Sequence, residues 1–280
     1  MAVEQRTASS ASSTIYLNAV PCATISTGVP PVISYSAWFT CSATAVQTYH
    51  TPFSLFDNTS SNTIEITCAK GTASRFGIGA DDGGGSIATE PGTYAANEWC
   101  FVIGRIITSS NRRCSCYNAN TQQLVHGNNT SAASPDFSTT QVWRFMGRGT
   151  VASESMRLAE FWIMDGDLGV ASADLDASLV YQLAMYGPWS VPRVAQNLIA
   201  HLPFYNFFMH DNQDSGNGSV RYSQSNENYF NQQKIKAANT VGTIGFDLVD
   251  SRNKSYSSSP HPPVSPQYIR PGQGILTLPY

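Results

Sequence analysis

The chain has 280 residues and a formal net charge of −3, and its charged residues make up 12% against roughly 25% in an average soluble domain. Hydrophobic residues make up 41%, which excludes general disorder, and the shortage of charged residues argues against helix-rich and coiled-coil architectures. The weak negative charge provides no broad positive field, and no apolar run is long enough to cross a bilayer, so we expect neither nucleic acid nor membrane as a partner.

The N-terminus is mostly small and polar over residues 1–14, which predicts an arm rather than a folded element. It lacks a basic stretch followed by an apolar block, so we expect no classical export signal. Without export we expect the cysteines to be reduced thiols within strands: Cys22, Cys41, Cys68, Cys100, Cys114 and Cys116. The last two share one face of a strand, but no second Cys or His pair completes a zinc site.

Alternating and apolar segments predict a series of short strands. Residues 34–41 (SYSAWFTC) alternate, and residues 64–68 lead through a turn into residues 75–78, which predicts a hairpin. The apolar stretch 99–107 (WCFVIGRII) predicts a central strand that is buried on both faces. Further short strands are predicted over residues 114–117, 142–147 and 158–164. Many short strands separated by turns indicate an all-β, two-sheet antiparallel sandwich or jelly roll.

A single short helix is predicted after these strands. Ser172 is the expected N-cap, with Asp174 and Asp176 in the first turn, where the helix dipole favours negative charge. Leu175, Leu179 and Leu183 form an apolar stripe, and Gly187 with Pro188 ends the helix. We expect this helix to pack beside the sheets.

Several blocks follow one another in an order typical of a known family: SYSAWFTC, GTYAANEWCFVIGRI, then WRFMGRGT and RLAEFWIMDGDL. They resemble, in turn, the early Trp-containing strand, the turn-Trp-strand block and the late closing strands of laminin-G-like, or concanavalin A-like, domains, in particular those of bacteriophage structural proteins. The resemblance implies a jelly-roll domain over residues 15–205, with a C-terminal extension over residues 206–280. Members of this family include glycan binders, glucan-cleaving enzymes and structural modules, so the fold alone does not select a function.

The sequence argues against an enzyme. A retaining glycosidase needs two carboxylates about 5 Å apart. In the nearest candidate pair, Glu160 and Asp165, a five-residue offset directs the side chains to opposite faces. The other acids considered are scattered: Glu65, Glu90, Glu98, Glu154 and Glu227. No histidine accompanies a nucleophile-elbow motif, and His201 is expected to be a packed strand residue. We therefore predict no catalytic residues.

Metal and glycan binding are the remaining alternatives for a site. Asp81 with Asp82, and Asp165 with Asp167, can supply oxygen ligands, but these residues are also ordinary turn formers, so we expect no cofactor and keep calcium as the alternative. Glycan binding requires exposed aromatic rings, for which the candidates are Trp38, Trp143 and Tyr94.

The C-terminal extension is too polar and too rich in Pro and Gly to form a core of its own. We expect both chain ends to lie on neighbouring subunits and to add strands to exposed sheet edges, with these anchors: Tyr268, Ile269, Leu276, Leu278 and Tyr280. The sequence thus predicts a non-enzymatic, homo-oligomeric decoration or accessory subunit of a phage head or tail. It would be assembled in the host cytoplasm and contact the major capsid or tail protein. A lectin-like, receptor-binding module on the virion surface is the alternative.

Overall fold

The computed structural model of the protein describes residues 2–5, 16–19, 25, 28–41, 50–57, 61–68, 74–84, 87–138, 141–145, 147–148, 151–152, 156–202, 207–210, 219–222, 234–238 and 246–249. Sheet A is built from β1 (Ala2–Gln5), β3 (Ile33–Cys41), β8 (Cys100–Thr108), β9 (Asn111–Asn118), β10 (Gln123–Asn129), β14 (Met156–Asp165), β15 (Leu198–Leu202) and β19 (Phe246–Val249). Sheet B is built from β2 (Tyr16–Ala19), β4 (His50–Phe56), β5 (Asn62–Cys68), β6 (Arg75–Asp82), β7 (Ile87–Thr93), β11 (Val142–Phe145), β16 (Phe207–His210), β17 (Ser219–Tyr222) and β18 (Lys234–Ala238). A separate ladder joins β12 (Gly147–Arg148) to β13 (Val151–Ala152), and the helices are α1 (Ala177–Tyr186), a 3-10 turn (Pro188–Ser190) and α2 (Pro192–Gln196).

The strand order makes this a two-sheet antiparallel sandwich, as predicted. Sheet A runs β10-β9-β8-β3-β14-β1-β19, with β15 also paired to β14. Sheet B runs β16-β17-β18-β2-β11-β4-β5-β6-β7. The hairpin predicted from residues 64–78 is confirmed, because β5 pairs antiparallel with β6 from Asn62 opposite Asp82 to Cys68 opposite Phe76.

The central strands are buried on both faces. Strand β8 lies between β3 and β9, as its apolar sequence predicts, and every residue from Cys100 to Ile107 is buried. Strand β3 follows its predicted alternation: Tyr35 and Phe39 face sheet B, whereas Trp38 faces away from it. A second apolar layer therefore covers the outer face of sheet A.

The sandwich core, between the sheets, centres on packed aromatic rings. Phe53 of β4 lies 4.4 Å from Phe161 of β14, centroid to centroid, so the two sheets meet at this pair. Phe145 lies 4.9 Å from Phe161 and 5.4 Å from Phe53. Apolar strand residues such as Ile64 and Val102 extend the same core. Burial of this apolar surface is the main source of the stability of the fold.

The helix-side core lies on the outer face of sheet A, and its members are Trp38, Trp99, Phe101, Ile103, Tyr117, Ala159, Trp162, Met164, Leu168, Leu175, Val180, Leu183, Ala184, Val191 and Val194. Helix α1 packs beside the sheet, as predicted, through Val180, Leu183 and Ala184. The predicted N-cap is wrong: Asp176, not Ser172, accepts the backbone N–H of Ser178 at 2.8 Å. Gly187, with φ +73°, ends the helix where predicted. The 3-10 turn and α2 were not predicted.

The cysteines within the described residues are buried and form no disulfide: Cys41, Cys68, Cys100, Cys114 and Cys116. Burial raises the pKa of the Cys68, Cys100 and Cys116 thiols well above the ordinary value, so these groups stay protonated. A protonated, buried thiol is a poor nucleophile and a poor metal ligand. These residues therefore act as small core side chains.

Both chain ends contribute strands to the sheets. In sheet A, β1 pairs with β14 and with β19, and in sheet B, β18 pairs with β2 and with β17. These strands pair within this chain, so the expectation that the chain ends lie on neighbouring subunits is wrong for them. Residues 2–5 form a strand of sheet A and not the predicted arm. The domain boundaries after residues 14 and 205 stay predictions. In the described part of the chain, neither helix has the length and hydropathy of a membrane-spanning segment.

Candidate functional site

The rings predicted to stack on glycans are interior residues. Trp38 is 1% exposed and its Nε1 donates to the carbonyl of Ala184 at 3.0 Å, while Trp143 is 0% and Tyr94 5% exposed. Burial also raises the pKa of Tyr94. A stacking platform must present a ring face to solvent, so the prediction is wrong for these three residues. Their aromatic surface is used for packing instead.

Two tyrosines of α1 present exposed rings in the described structure. Tyr181 is 37% exposed and Tyr186 53% exposed. The ring of Tyr181 packs edge-on against Tyr117 of β9, with the centroids 5.3 Å apart. Val170, in the loop before α1, is also exposed. We call Val170, Tyr181 and Tyr186 the α1 surface. These residues were not predicted, although the apolar stripe of Leu175, Leu179 and Leu183 leaves Tyr181 on the other side of the helix.

A buried arginine fixes the loop that leads into α1. Arg105 of β8 is 1% exposed and binds both carboxylate oxygens of Asp167, with Nε to Oδ1 at 2.6 Å and Nη2 to Oδ2 at 2.9 Å. The same guanidinium donates to the carbonyls of Val170 and Ala173, each at 2.8 Å. All these donors point in fixed directions because a guanidinium is planar. The loop is therefore held against sheet A as one rigid piece.

A second arginine holds the end of the same loop. Arg113 of β9 donates to the carbonyls of Ala171 and Ser172, and its Nη1 lies 2.9 Å from Oδ1 of Asp174. Asn111 adds a hydrogen bond to the carbonyl of Ala171 at 2.8 Å. The loop residues Asp167 and Asp174, which the sequence assigned to a turn and to a helix, thus serve as partners of arginines.

Glu160 lies at a β-bulge in the middle of β14. The register of β14 against β3 shifts between Ala159 and Trp162, and Glu160 has a φ of +50°. A positive φ is unfavourable for a residue with a Cβ and costs on the order of 1–3 kcal/mol, so the surrounding structure must hold it there. Bulges of this kind redirect a side chain, and here the carboxylate of Glu160 is turned to the helix side.

The redirected carboxylate ends a buried hydrogen-bonded chain. Trp189 of the 3-10 turn donates its Nε1–H to Nδ1 of His201 at 3.1 Å, and Nε2 of His201 lies 2.9 Å from Oε2 of Glu160. An indole N–H only donates, so Nδ1 accepts, and the proton of neutral His201 sits on Nε2 and is donated to Glu160. Both ring nitrogens are engaged within the protein. His201 is a packed strand residue, as predicted, but its two partners were not foreseen.

A second pair of carboxylates shares the outer face of sheet B. Glu65 of β5 is opposite Gly79, and Thr67 is opposite Gly77 and donates to Oε1 of Glu90 at 2.5 Å. The topology thus places Glu65 and Glu90, which are scattered in the sequence, on the two strands that flank β6. However, Glu65 has 0% exposure, so a glycosidic bond cannot reach its carboxylate in this conformation.

Other predicted groups are placed apart from one another or outside the described residues. Asp165 is exposed at the end of β14, away from Glu160. His126 of β10 lies 2.9 Å from Oγ of Ser115 through Nδ1, and no carboxylate is bonded to this pair in the described structure. No group of three or more His, Cys, Asp or Glu side chains among the described residues is placed to hold a metal ion. The predicted anchors all lie outside the described residues: Tyr268, Ile269, Leu276, Leu278 and Tyr280.

Comparison with known proteins finds similarity in fold. No protein-family model matches the chain, and no curated protein matches its sequence. Full-length tailspike protein 2 of an Escherichia coli O157:H7 bacteriophage is similar at 13% identity and a TM-score of 0.45, over 63% of this chain and 24% of the tailspike. The chain therefore spans about a quarter of that tailspike.

Two further similar structures come from animals. The heptameric SAP-like pentraxin of Limulus polyphemus matches at 10% identity and a TM-score of 0.44, over 65% of this chain and 81% of the pentraxin. Domains LG4-5 of the mouse laminin α1 chain match at 10% identity and a TM-score of 0.40, over 62% of this chain and 44% of the laminin fragment. Enzymes are also among the similar structures, including a GH43 protein from Bacillus licheniformis.

Proposed function

We propose that this chain is a non-enzymatic structural subunit of a bacteriophage virion. It decorates the head or tail and stabilises the particle through its terminal segments, as a homo-oligomer in contact with the major capsid or tail protein. The observation that carries the proposal is the position of the terminal strands. The described strands of the chain ends form one side of each sheet: β1 and β19 follow β14 in sheet A, with β19 at the edge, and β18, β17 and β16 follow β2 in sheet B, with β16 at the edge. Segments that add strands to sheet edges can do the same on a neighbouring subunit.

The geometry of the sandwich body supports a structural role. The loop before α1 is fixed by Arg105 and Arg113, so the body presents a rigid surface. His201 uses both ring nitrogens inside the protein, and Glu65 is fully covered. His201 and Glu65, the side chains best suited to acid–base catalysis, are thus held inside the protein.

The test is incorporation into particles of the bacteriophage that encodes the chain. A variant without residues 260–280 is expected to be soluble, to unfold at the same temperature as the full chain and to be missing from purified particles. A second variant keeps the full length and replaces Leu276, Leu278 and Tyr280 with serine. We expect it to reduce incorporation in the same way, which separates loss of the anchor side chains from loss of chain length. Normal incorporation of both variants would contradict the arm contacts, and absence of the full chain from particles would contradict the virion assignment.

A second candidate function, glycan binding on the virion surface, is favoured by the α1 surface. Tyr181 and Tyr186 have exposed rings, and the contact with Tyr117 holds Tyr181 in place, as a sugar-stacking platform requires. A glycan array or a pull-down of host polysaccharide is expected to give a sugar-competable signal that Tyr181→Ala and Tyr186→Ala abolish and Gln196→Ala does not. A blank result on host material would remove this candidate.

A further inference from the structure

Strand β10 ends sheet A without the features that normally protect a sheet edge. It pairs with β9 over seven residues, from Gln123 opposite Asn118 to Asn129 opposite Arg112, with no shift in register. Its sequence, QLVHGNN, contains no charged residue and no proline. Natural edge strands are usually short, bulged, charged or interrupted by proline, because an open edge can pair with another chain. Strand β10 has none of these protections.

The edge of sheet B provides an internal comparison. Strand β7 ends that sheet, and its register against β6 shifts between Phe76 and Ile78. It also contains Glu90 and Pro91, a charge and a residue that cannot donate a backbone hydrogen bond. The two neighbouring sheet edges on this side of the sandwich thus differ, because β7 is protected and β10 is open.

The two edges touch without pairing. A Cβ at Gly127 of β10 would lie 2.9 Å from Cγ of Pro91 and 2.9 Å from Cγ2 of Thr89, so Gly127 allows the strands to approach closely. No ladder joins β10 to β7 among the described strands, and residues 123–128 make no described backbone hydrogen bond beyond the β9 ladder. The outward backbone groups of β10 are therefore available to an added strand.

We propose that residues 272–278 of a neighbouring copy add to β10 as a further strand of sheet A. This inference rests on the proposed function, because it treats the C-terminal segment as a strand-donating arm. The segment, GQGILTL, is as long as β10, has no charged residue and lies between Pro271 and Pro279, which set its ends. As a strand it would place Leu276 and Leu278 on one face and Ile275 and Thr277 on the other.

Both faces of β10 have an apolar side chain for the added strand to extend. Val125 packs against the sandwich core, and Leu124 packs against the helix-side core. An added strand with aliphatic residues on both faces would extend the sandwich core and the helix-side core by one strand. A strand with one polar face would leave one of them uncovered, so the composition of residues 272–278 fits this edge.

Hydrogen–deuterium exchange of the purified full-length chain tests the proposal. We expect exchange of the β10 amides to slow about ten-fold or more between dilute and concentrated protein, because pairing with a second copy depends on concentration. Thr277→Pro is expected to abolish this protection, since it removes a donor within the added strand, and Ser257→Pro, outside the segment, is its control.

The double variant Gln123→Lys and Asn128→Lys, at exposed positions of β10, is also expected to abolish the protection. Thr93→Lys with Ala96→Lys, exposed near the protected edge, is the control for added charge.

Each other outcome overturns the proposal in an identifiable way. Protection that does not change with concentration would mean that no second copy supplies the strand. Protection that survives Thr277→Pro but not the β10 lysines would mean that another segment occupies the edge. Fast exchange at every concentration would mean that the edge stays open. The measurement uses purified protein, so it can succeed when incorporation into particles fails, and the reverse.

Discussion

Gly79 leaves space for a buried carboxylate on the outer face of sheet B. A Cβ at this position would lie 2.7 Å from Oε1 and 2.9 Å from Cγ of Glu65, which is closer than these atoms can approach. Because Glu65 is fully buried, its side chain has little room to move away. We expect Gly79→Ala to lower the free energy of unfolding by about 1–3 kcal/mol, measured by urea denaturation.

The control for Gly79 is a glycine in an exposed turn. At Gly84 a Cβ would meet only Oδ1 of Asp82, at 3.1 Å, and the position is exposed. We expect Gly84→Ala to change the free energy of unfolding by no more than about 0.5 kcal/mol. Equal losses for the two variants would show that the packing of Glu65 over Gly79 contributes nothing.

Asp82 links stability to pH. Its carboxylate accepts the backbone N–H groups of Ser134 at 3.0 Å and Gly84 at 3.1 Å, and these hydrogen bonds hold its pKa below the ordinary value. A carboxyl whose folded pKa lies below its unfolded value, about 3.9 for Asp, stabilises the fold above the unfolded value. This stabilisation is lost as the pH falls through the folded pKa. We expect Asp82→Asn to lower stability at neutral pH, and the difference from the natural chain to shrink below about pH 4. Urea denaturation across the acid range measures this, and a constant difference would contradict it.

From the sequence, the two faces of strand β3 could be predicted, but the burial of Trp38 and the contact between Glu160 and His201 could not. Alternation placed Tyr35 and Phe39 on one face of a strand and Trp38 on the other, as the structure has them, because a strand has a period of two. The hydrogen bond between Glu160 and His201 depends on a β-bulge in β14. The bulge interrupts the period of two, and no residue pattern in the sequence indicates where it lies. Trp38 was a candidate for an exposed stacking ring because alternation gives the face of a sheet on which a residue lies but not what covers that face.

At the level of elements, the loop before α1 depends on Arg105. Removing its side chain leaves Asp167 without its ion pair and the carbonyls of Val170 and Ala173 without donors. Breaking a buried pair in this way costs about 3–5 kcal/mol, which is the loss we expect for Arg105→Met in urea denaturation. Arg105→Lys keeps the charge but cannot reach all three partners at once, so it is also expected to destabilise the protein.

Arg193, exposed in α2, is the control for Arg105. We expect Arg193→Met to change the free energy of unfolding by no more than about 0.5 kcal/mol. If Arg105→Met were equally harmless, the buried ion pair would not be what fixes the loop. Replacing Asp167 with Asn in addition to Arg105→Met is expected to recover part of the loss, because the second change removes the unpaired charge.

The same arginines explain the error in the predicted start of α1. Ser172 has the side chain of an N-cap, and Asp174 suits a first helical turn. In the structure the carbonyl of Ser172 and the carboxylate of Asp174 are both bound by Arg113, which keeps this stretch out of the helix until Asp176. The contact with Arg113 thus shifts the start of the helix by four residues from the predicted one, and nothing in the sequence around Ser172 indicates this contact. The five residues of α2 are too few to show a helical period, so this helix was missed.

For the whole molecule, the two cores determine how much of the chain is needed to fold. Among the residues whose side chains the structure describes, each member of the sandwich core and of the helix-side core lies between Ile25 and Ala200. The fold class could be predicted because these cores produce alternating and doubly apolar strands. The pairing of the chain ends could not be predicted, because β1 with β14 and β18 with β2 join segments that are far apart in the sequence.

The final prediction follows from the position of the cores. A chain of residues 15–205 contains every described residue of both cores, so we expect it to be soluble and to unfold in one cooperative transition, with the near-ultraviolet circular dichroism of buried Trp38, Trp99 and Trp162 retained. A chain of residues 15–187 is the matched control. It lacks Val191 and Val194 of the helix-side core and Ala200 of the sandwich core, together with β15, and we expect it to lose cooperative unfolding and to aggregate. If the longer piece also failed to fold, the terminal strands would be part of the folding unit, and the chain ends could not serve as exchangeable arms.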